Sequence, residues 1–116
     1  MQITPQLMFE GRVDEALALW RRAFPDMQVT PGIPATVEIA GQRLRLFDSP
    51  VHHDFTLTPS FSLTVACADE AELRRLADVL GEGGAVLMEL GAYDFSPCYT
   101  WIVDRVGVSW QLIVEP

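Results

Sequence analysis

The sequence predicts an α+β protein built from two βαβββ modules with curved mixed sheets. Three observations lead to this fold class: two segments have the apolar period of a helix, the segments around them alternate with period two, and the order of elements repeats. At 116 residues with 49% hydrophobic residues, the chain suits a single domain with its own core. The repeat predicts module one at about residues 1–49, a linker loop at about 49–59 and module two at about 60–116.

Module one is expected to contain one helix and four strands. An apolar strand is predicted at residues 3–9, where Pro5 suits an edge strand. A helix is predicted over residues 11–24, because apolar residues recur at three- and four-residue steps until Pro25. Its apolar stripe consists of Val13, Leu17, Trp20 and Phe24. Three short strands follow at residues 26–30, 35–40 and 42–48.

Module two repeats this order. Residues 60–67 alternate apolar and small polar side chains, which predicts a half-buried strand. Asp69 begins a helix that extends to about residue 81, with Glu72 placed three residues on as in a capping box. The apolar stripe of this helix consists of Leu73, Leu76, Val79 and Leu80. Three strands are then expected at residues 85–93, 98–104 and 108–114.

The charge and cysteine content exclude several classes of partner. The net charge is −8, so no basic stripe exists for nucleic acid or for an anionic membrane surface. No stretch approaches the ~20 apolar residues of a membrane helix, and the N-terminus lacks the pattern of a signal peptide. Cys67 and Cys98 match no metal-binding spacing and are expected to be reduced core residues. We therefore expect a cytoplasmic protein.

The C-terminal segment is the most specific feature of the sequence. Two aromatic and β-branched runs around a turn that ends at Gly107 predict a β-hairpin. Its motif Asp-x-x-Gly-Val-Ser-Trp-Gln, which starts at Asp104, resembles the closing hairpin of PhnB-like proteins. These belong to the glyoxalase / bleomycin resistance / extradiol dioxygenase (vicinal oxygen chelate) superfamily. Residues 3–20 and 58–84 resemble the family in weaker motifs. The resemblance favours the duplicated fold over the alternative, a single α+β sandwich with one continuous antiparallel sheet, and implies a homodimer.

Metal-binding members of this superfamily hold a divalent ion through His, Gln or Glu side chains on the first and last strands of a module. The corresponding positions here lie at residues 4–6, Ser60, Ser62 and Gln111. Hydroxyl groups and one neutral amide are poor ligands for such ions, so we expect no metal and no cofactor. A metal-dependent lyase, isomerase or dioxygenase that uses other ligands is the alternative.

Strand parity selects two residues as candidates for contact with a ligand. If Leu44 and Trp110 face the helices, their neighbours Arg45 and Gln111 face the other way. An amide can orient a ligand carbonyl, and a guanidinium favours a carboxylate or phosphate. The alternatives are a surface arginine paired with an acid, and a glutamine bonded to neighbouring backbone or to a partner chain.

Further candidates come from hydroxyl, aromatic and imidazole side chains. Aromatic residues gather around residues 96–97, where they can form a cup, a core or a dimer interface. His53 follows His52 in the linker loop, where it can lie over a cavity mouth or form part of a solvated pair. No catalytic residue is predicted. We expect a small aromatic or anionic ligand, bound by Gln111, Arg45, Ser62, Thr64, Tyr93, Tyr99, Trp101 and His53.

Overall fold

The structure, a computed structural model, describes all residues from 1 to 116. The chain forms two compact units, Met1–Leu57 and Thr58–Pro116. Each unit contains a four-stranded mixed sheet and one helix in the order βαβββ, so the predicted fold class is confirmed. Neither helix has the length and apolar character needed to cross a membrane.

The first unit forms a sheet with strand order β1-β4-β3-β2. Its edge strand β1 runs parallel to β4, and the other neighbours are antiparallel. The edge position agrees with the proline that precedes β1. The elements of this unit are β1 (Gln6–Phe9), α1 (Val13–Ala23), β2 (Gln28–Thr30), β3 (Ala35–Ile39) and β4 (Gln42–Asp48).

Helix α1 uses a buried face that differs from the predicted stripe. Val13 and Trp20 of the predicted stripe are buried, whereas Leu17 and Phe24 are only half-buried. The buried face combines two alanines with the large, fully buried side chains of Leu19 and Trp20. The buried residues are Val13, Ala16, Leu19, Trp20 and Ala23.

The start of α1 is stabilised by Asp48, which ends β4 and lies opposite Phe9 at the end of β1. Arg12, at the N-cap, provides no side-chain cap. The Asp48 carboxylate accepts hydrogen bonds from the backbone N–H groups of Gly11, Arg12 and Val13 at 2.9, 2.9 and 3.2 Å. N–H groups in the first turn have no acceptor within the helix. They also form the positive end of the helix dipole, which favours a carboxylate. Asp48 therefore joins the last strand to the helix.

The second unit repeats the topology with strand order β5-β8-β7-β6. Strand β5 runs parallel to β8, and the remaining pairs are antiparallel. Ser60, predicted in the first strand of this unit, precedes β5 in a loop. The elements are β5 (Ser62–Cys67), α2 (Glu70–Gly81), β6 (Ala85–Tyr93), β7 (Ser96–Val103) and β8 (Ser109–Val114).

Helix α2 begins with the predicted cap. The Asp69 carboxylate accepts the backbone N–H of Glu72 at 2.8 Å, and the Glu72 carboxylate accepts the backbone N–H of Ala68 at 2.7 Å. Its leucines pack on the central strands β7 and β8, while Val79 is only half-buried. The buried leucines are Leu73, Leu76 and Leu80.

The closing hairpin is organised by a buried carboxylate. Asp104 is 2% exposed and accepts the backbone N–H groups of Val106 and Val108, both at 3.0 Å. Its second oxygen accepts the indole N–H of Trp110 at 2.8 Å. Gly107 has φ of 94°, a conformation that favours glycine. The predicted hairpin is confirmed, and Asp104 fixes where β8 begins.

Candidate functional site

The candidate site lies on the face of the second sheet opposite α2. Trp110 and Leu112 point towards the helix and are buried, so Gln111 points to the other face. Strand register places hydroxyl and aromatic side chains beside it on β5 and β7. We call this surface the Gln111 face, which comprises Ser62, Thr64, Tyr99, Trp101, Ser109 and Gln111.

A directed chain of hydrogen bonds crosses three strands of this face. The Tyr99 hydroxyl donates to Oε1 of Gln111 at 2.6 Å. Nε2 of Gln111 donates to Oγ of Ser62 at 2.8 Å. The expected alternative, a bond from Gln111 to neighbouring backbone, is not what the structure contains, because both partners are side chains. Gln111 thus holds β5, β7 and β8 in one arrangement.

A second chain ties the same face to the preceding loop. The indole N–H of Trp101 donates to Oγ of Ser109 at 2.8 Å, and Ser109 donates to the carbonyl oxygen of Pro59 at 3.1 Å. Ser109 was not among the predicted site residues. Strand parity does indicate Ser109 as a site residue, because Ser109 and Gln111 are two residues apart on one strand and share a face.

Three aromatic rings form a cluster beside the network. Tyr93 stacks on Phe95 with centroids 5.6 Å apart, and Tyr99 meets both rings edge-on at 5.5 and 4.8 Å. Phe95 is 49% exposed and presents an open ring. Trp101, expected in the same group, instead bonds Ser109. The predicted aromatic surface is therefore composed of Tyr93, Phe95 and Tyr99.

The protonation of Tyr99 follows from its surroundings. Burial raises the pKa of the Tyr99 hydroxyl above its ordinary value of 10.0, and the neighbouring Tyr93 raises it further. The phenol therefore keeps its proton at neutral pH. A protonated phenol is the donor that the bond to Gln111 requires. Thr64, in contrast, is exposed on β5 and forms no side-chain bond within the network.

Arg45 occupies the corresponding face of the first sheet. It lies between Gln6 and Thr36 on the neighbouring strands, while Leu44 is buried towards α1. Its guanidinium is exposed and forms no hydrogen bond or ion pair, so the expected pairing with an acid is absent. Arg45 belongs to the first unit, and Gln111 belongs to the second.

His53 lies in the loop that follows β4. Its Nε2 is 3.0 Å from Oγ of Ser49, and its ring stacks on Phe55 with centroids 4.9 Å apart. His52 bonds Glu10 through Nδ1 at 2.8 Å. That bond lowers the pKa of Glu10 below 4.5. The two imidazoles therefore have separate partners, and His53 is half-buried and held locally.

The donor set at the positions corresponding to a metal site does not fit a divalent ion. Gln111 directs its carbonyl oxygen to the Tyr99 hydroxyl, and Ser62 provides only a hydroxyl. No group of three or more His, Cys, Asp or Glu side chains is arranged to hold a metal. Divalent transition ions prefer imidazole, carboxylate or thiolate ligands.

Comparisons with known proteins agree with the observed fold. The family model described as 3-demethylubiquinone-9 3-methyltransferase matches residues 1–113. A PhnB protein from Bacillus cereus is 37% identical over 99% of this chain and 100% of its own, with a TM-score of 0.92.

Two more distant structures share the fold. The fosfomycin resistance protein FosX from Listeria monocytogenes is 10% identical, covering 100% of this chain and 91% of its own, with a TM-score of 0.67. Lactoylglutathione lyase from Agrobacterium tumefaciens is 17% identical, covering 98% of this chain and 92% of its own, with a TM-score of 0.66. No curated protein matches the sequence.

Proposed function

We propose that this chain, which belongs to the PhnB-like 3-demethylubiquinone-9 3-methyltransferase family of the vicinal oxygen chelate superfamily, is a small-molecule-binding protein. The proposed site is the Gln111 face. The observation that carries the proposal is the directed hydrogen-bond chain from Tyr99 through Gln111 to Ser62.

The direction of these bonds defines what a ligand must offer. Gln111 uses its carbonyl oxygen on Tyr99 and one N–H on Ser62, so its second N–H remains as a donor. Ser62 accepts from Gln111 and keeps its own hydroxyl proton to donate. Both remaining groups are donors. The matching ligand atom is therefore an acceptor, namely a carbonyl or carboxylate oxygen.

The aromatic cluster supports a planar ligand body. Phe95 presents an exposed ring, and Tyr93 and Tyr99 hold it in place through stacked and edge contacts. Aromatic pairs prefer such offset and edge geometries, which an aromatic ligand can extend. The ligand class that fits donors and rings together is a small aromatic ketone, keto acid or carboxylic acid.

Binding fits the network better than acid–base catalysis does. Gln111 and Ser62 do not titrate, and burial raises the pKa of Tyr99 away from neutral pH. General acid–base catalysis is most efficient when the pKa of the group lies near the working pH. The donors therefore suit the orientation of a ligand.

Calorimetric titration with phenylpyruvate tests the proposal, with phenylpropanol as the matched compound that lacks a carbonyl or carboxylate. We expect Gln111→Ala to weaken phenylpyruvate binding by about 1–2 kcal/mol, roughly five- to thirtyfold. Thr30→Ala, at an exposed position on β2 outside the proposed site, should leave the affinity unchanged. Equal binding of both compounds, or equal losses in both variants, would contradict the proposal.

The enzymatic alternative has its own signature. A metal-dependent lyase, isomerase or dioxygenase would co-purify with about one transition metal per chain, lost on Gln111→Ala. The family description names a methyltransferase, so S-adenosylmethionine is included as a probe. Elemental analysis without metal, and no heat of binding with S-adenosylmethionine, are the results we expect.

We also propose that the protein is a homodimer that pairs through an exposed strand edge. Tyr99 and Trp110 are 4% and 2% exposed within the chain, so they cannot supply an interface. The nine-residue edge strand β6 instead exposes Val86 and Leu87 beside unpaired backbone groups. Light scattering should give twice the 12.9 kDa monomer mass, and Leu87→Lys should restore the monomer.

A cytoplasmic location is proposed from the two thiols. Cys67 and Cys98 are both free and buried, and they flank Val114 on either side of β8. Because β8 lies between the strands that carry them, their Cα atoms are about 10 Å apart, which is beyond the reach of a disulfide. The fold therefore gains nothing from an oxidising compartment. Cell fractionation followed by immunodetection tests this location.

A further inference from the structure

A cavity of about 400 Å³ lies in the first unit, between α1 and the loop that joins β2 to β3. It is on the helix side of the first sheet, because its floor includes Ala35 and Leu46, which are buried towards α1. Arg45 points to the opposite face. The cavity is therefore separate from the residues of the proposed ligand site.

The walls of the cavity are mainly apolar. Leu17, part of the predicted apolar stripe of α1, lines the cavity and is only half-buried. Val29 and Pro34 contribute from the far side, and Ile33 is 87% exposed at the rim. A space of this size, lined by aliphatic side chains, matches the usual dimensions of a small-molecule pocket.

Both ionisable residues in the lining are acids. Asp48 directs its carboxylate at the N-terminus of α1, where the protein already satisfies the backbone N–H groups that could bind an anion. Asp14, in the first turn of α1, is exposed, and its carboxylate forms no hydrogen bond or ion pair. The cavity therefore offers one unpaired negative charge beside an apolar surface.

We propose that this cavity binds an organic cation, with an aliphatic or aromatic body against Leu17 and Ile33 and an ammonium group on Asp14. Ammonium pairs with a carboxylate through charge-assisted hydrogen bonds. The net charge of −8 raises the local concentration of cations around the protein and disfavours anions. A neutral molecule of the same shape would lack the anchor.

The test uses three probes of equal shape and different charge: phenylbutylamine, phenylbutanol and phenylbutyrate. Backbone amide shifts are followed by NMR during titration of the intact chain. We expect the amine to bind most tightly, the alcohol weakly and the acid least, with shifts confined to the residues that line the cavity. Equal affinities for amine and alcohol, or shifts elsewhere, would overturn the proposal.

Two variants separate the anchor from general electrostatics. Asp14→Asn should weaken binding of the amine about tenfold and leave the alcohol unchanged, since the shape is preserved. Asp78→Asn removes the same charge from an exposed position on α2 and should have no effect. Ile33→Ser, at an exposed position where folding is tolerant, should weaken amine and alcohol alike. Equal losses in both aspartate variants would leave only a long-range charge effect and refute the site.

Discussion

The two sheets share one topology and differ in how their exposed faces are connected. Arg45 and Gln111 occupy equivalent positions, each one residue after a buried side chain on the last strand of its unit. The Gln111 side chain is bonded to Tyr99 and Ser62, whereas the Arg45 guanidinium forms no hydrogen bond or ion pair. Topology alone therefore does not define a site. A site also requires complementary donors and acceptors at facing register positions.

The hairpins before these strands differ in the same way. The turn between β3 and β4 consists of Ala40 and Gly41, with φ of 49° and 83°, as a two-residue hairpin turn requires. The turn between β7 and β8 is longer and depends on the Asp104 carboxylate. One hairpin is specified by its backbone and the other by a buried charge.

The largest expected effect is the loss of that carboxylate. Asp104→Ala leaves the indole N–H of Trp110 and two backbone N–H groups without their acceptor. We expect the free energy of unfolding to fall by roughly 3 kcal/mol. Urea denaturation measures it, with Ala40→Gly in the first hairpin as the comparison. That change relieves a positive φ and should be neutral or stabilising. A loss below about 1 kcal/mol for Asp104→Ala would remove the contrast between the turns.

The second largest expected effect is on the free energy of unfolding when Gln111 or its equivalent, Arg45, is replaced. Gln111→Ala removes two side-chain hydrogen bonds and should lower the free energy of unfolding by about 1–2 kcal/mol. Arg45→Ala should change it by less than about 0.5 kcal/mol. If Arg45 contacts an anionic ligand, the same variant lowers the affinity for an aromatic acid by about 1–3 kcal/mol. Equal stability losses in the two variants would show that the two faces are equally connected.

Local patterns predicted the elements of both units and the orientation of their strands. Helical period and strand parity depend on neighbouring residues alone, so Leu44 and Trp110 were assigned correctly to the helix side. The core of α1 was predicted less well, because alanines carry little apolar signal and Leu17 carries much. Sequence patterns indicate which residues are apolar, but not which of them remain at the edge of a cavity.

The bonds that define the candidate site could not be predicted in the same way. Tyr99, Gln111 and Ser62 meet only when three strands pair in one register, and Ser62 is 49 residues from Gln111. Asp48 likewise caps a helix that begins 35 residues earlier in the chain. Parity selects a face, whereas the partners on that face depend on register between distant strands.

A smaller effect, which arises in the second unit, is the dependence of stability on alkaline pH. Burial, and then Glu72, raises the pKa of Cys67 from 9.0 to about 11. The unfolded chain loses this proton at lower pH than the folded chain does, so stability falls as the pH rises between those values. Tyr99 and Cys98, also in the second unit, have raised pKa values caused first by burial and act in the same direction.

The variant Cys67→Ala should flatten this part of the pH profile. The urea concentration at the unfolding midpoint is measured at several pH values between 9.0, the ordinary thiol pKa, and about 11. The same series is recorded for the unsubstituted chain. Because the alanine also leaves a small cavity, only the slope with pH is diagnostic, and the absolute stability is not. An unchanged slope would mean that Cys67 titrates at the same pH in both states.

The smallest expected effect is on stability at acidic pH, and it arises in the first unit. The hydrogen bond from His52, followed by the backbone N–H of His53, lowers the pKa of Glu10 below 4.5. The folded chain therefore keeps this carboxylate ionised to lower pH than the unfolded chain does. The resulting stabilisation is present above the unfolded pKa and is lost as the pH falls through the folded value.

Solvent around this pair keeps the contribution small, because exposed ion pairs are screened. Carboxyl chemical shifts of Glu10 measured by NMR should titrate below the ordinary range, and His52→Ala should return them towards it. If Glu10 titrates unchanged in His52→Ala, the loop after β4 is not held by this pair, and the first unit depends on Asp48 alone to join its last strand to the helix.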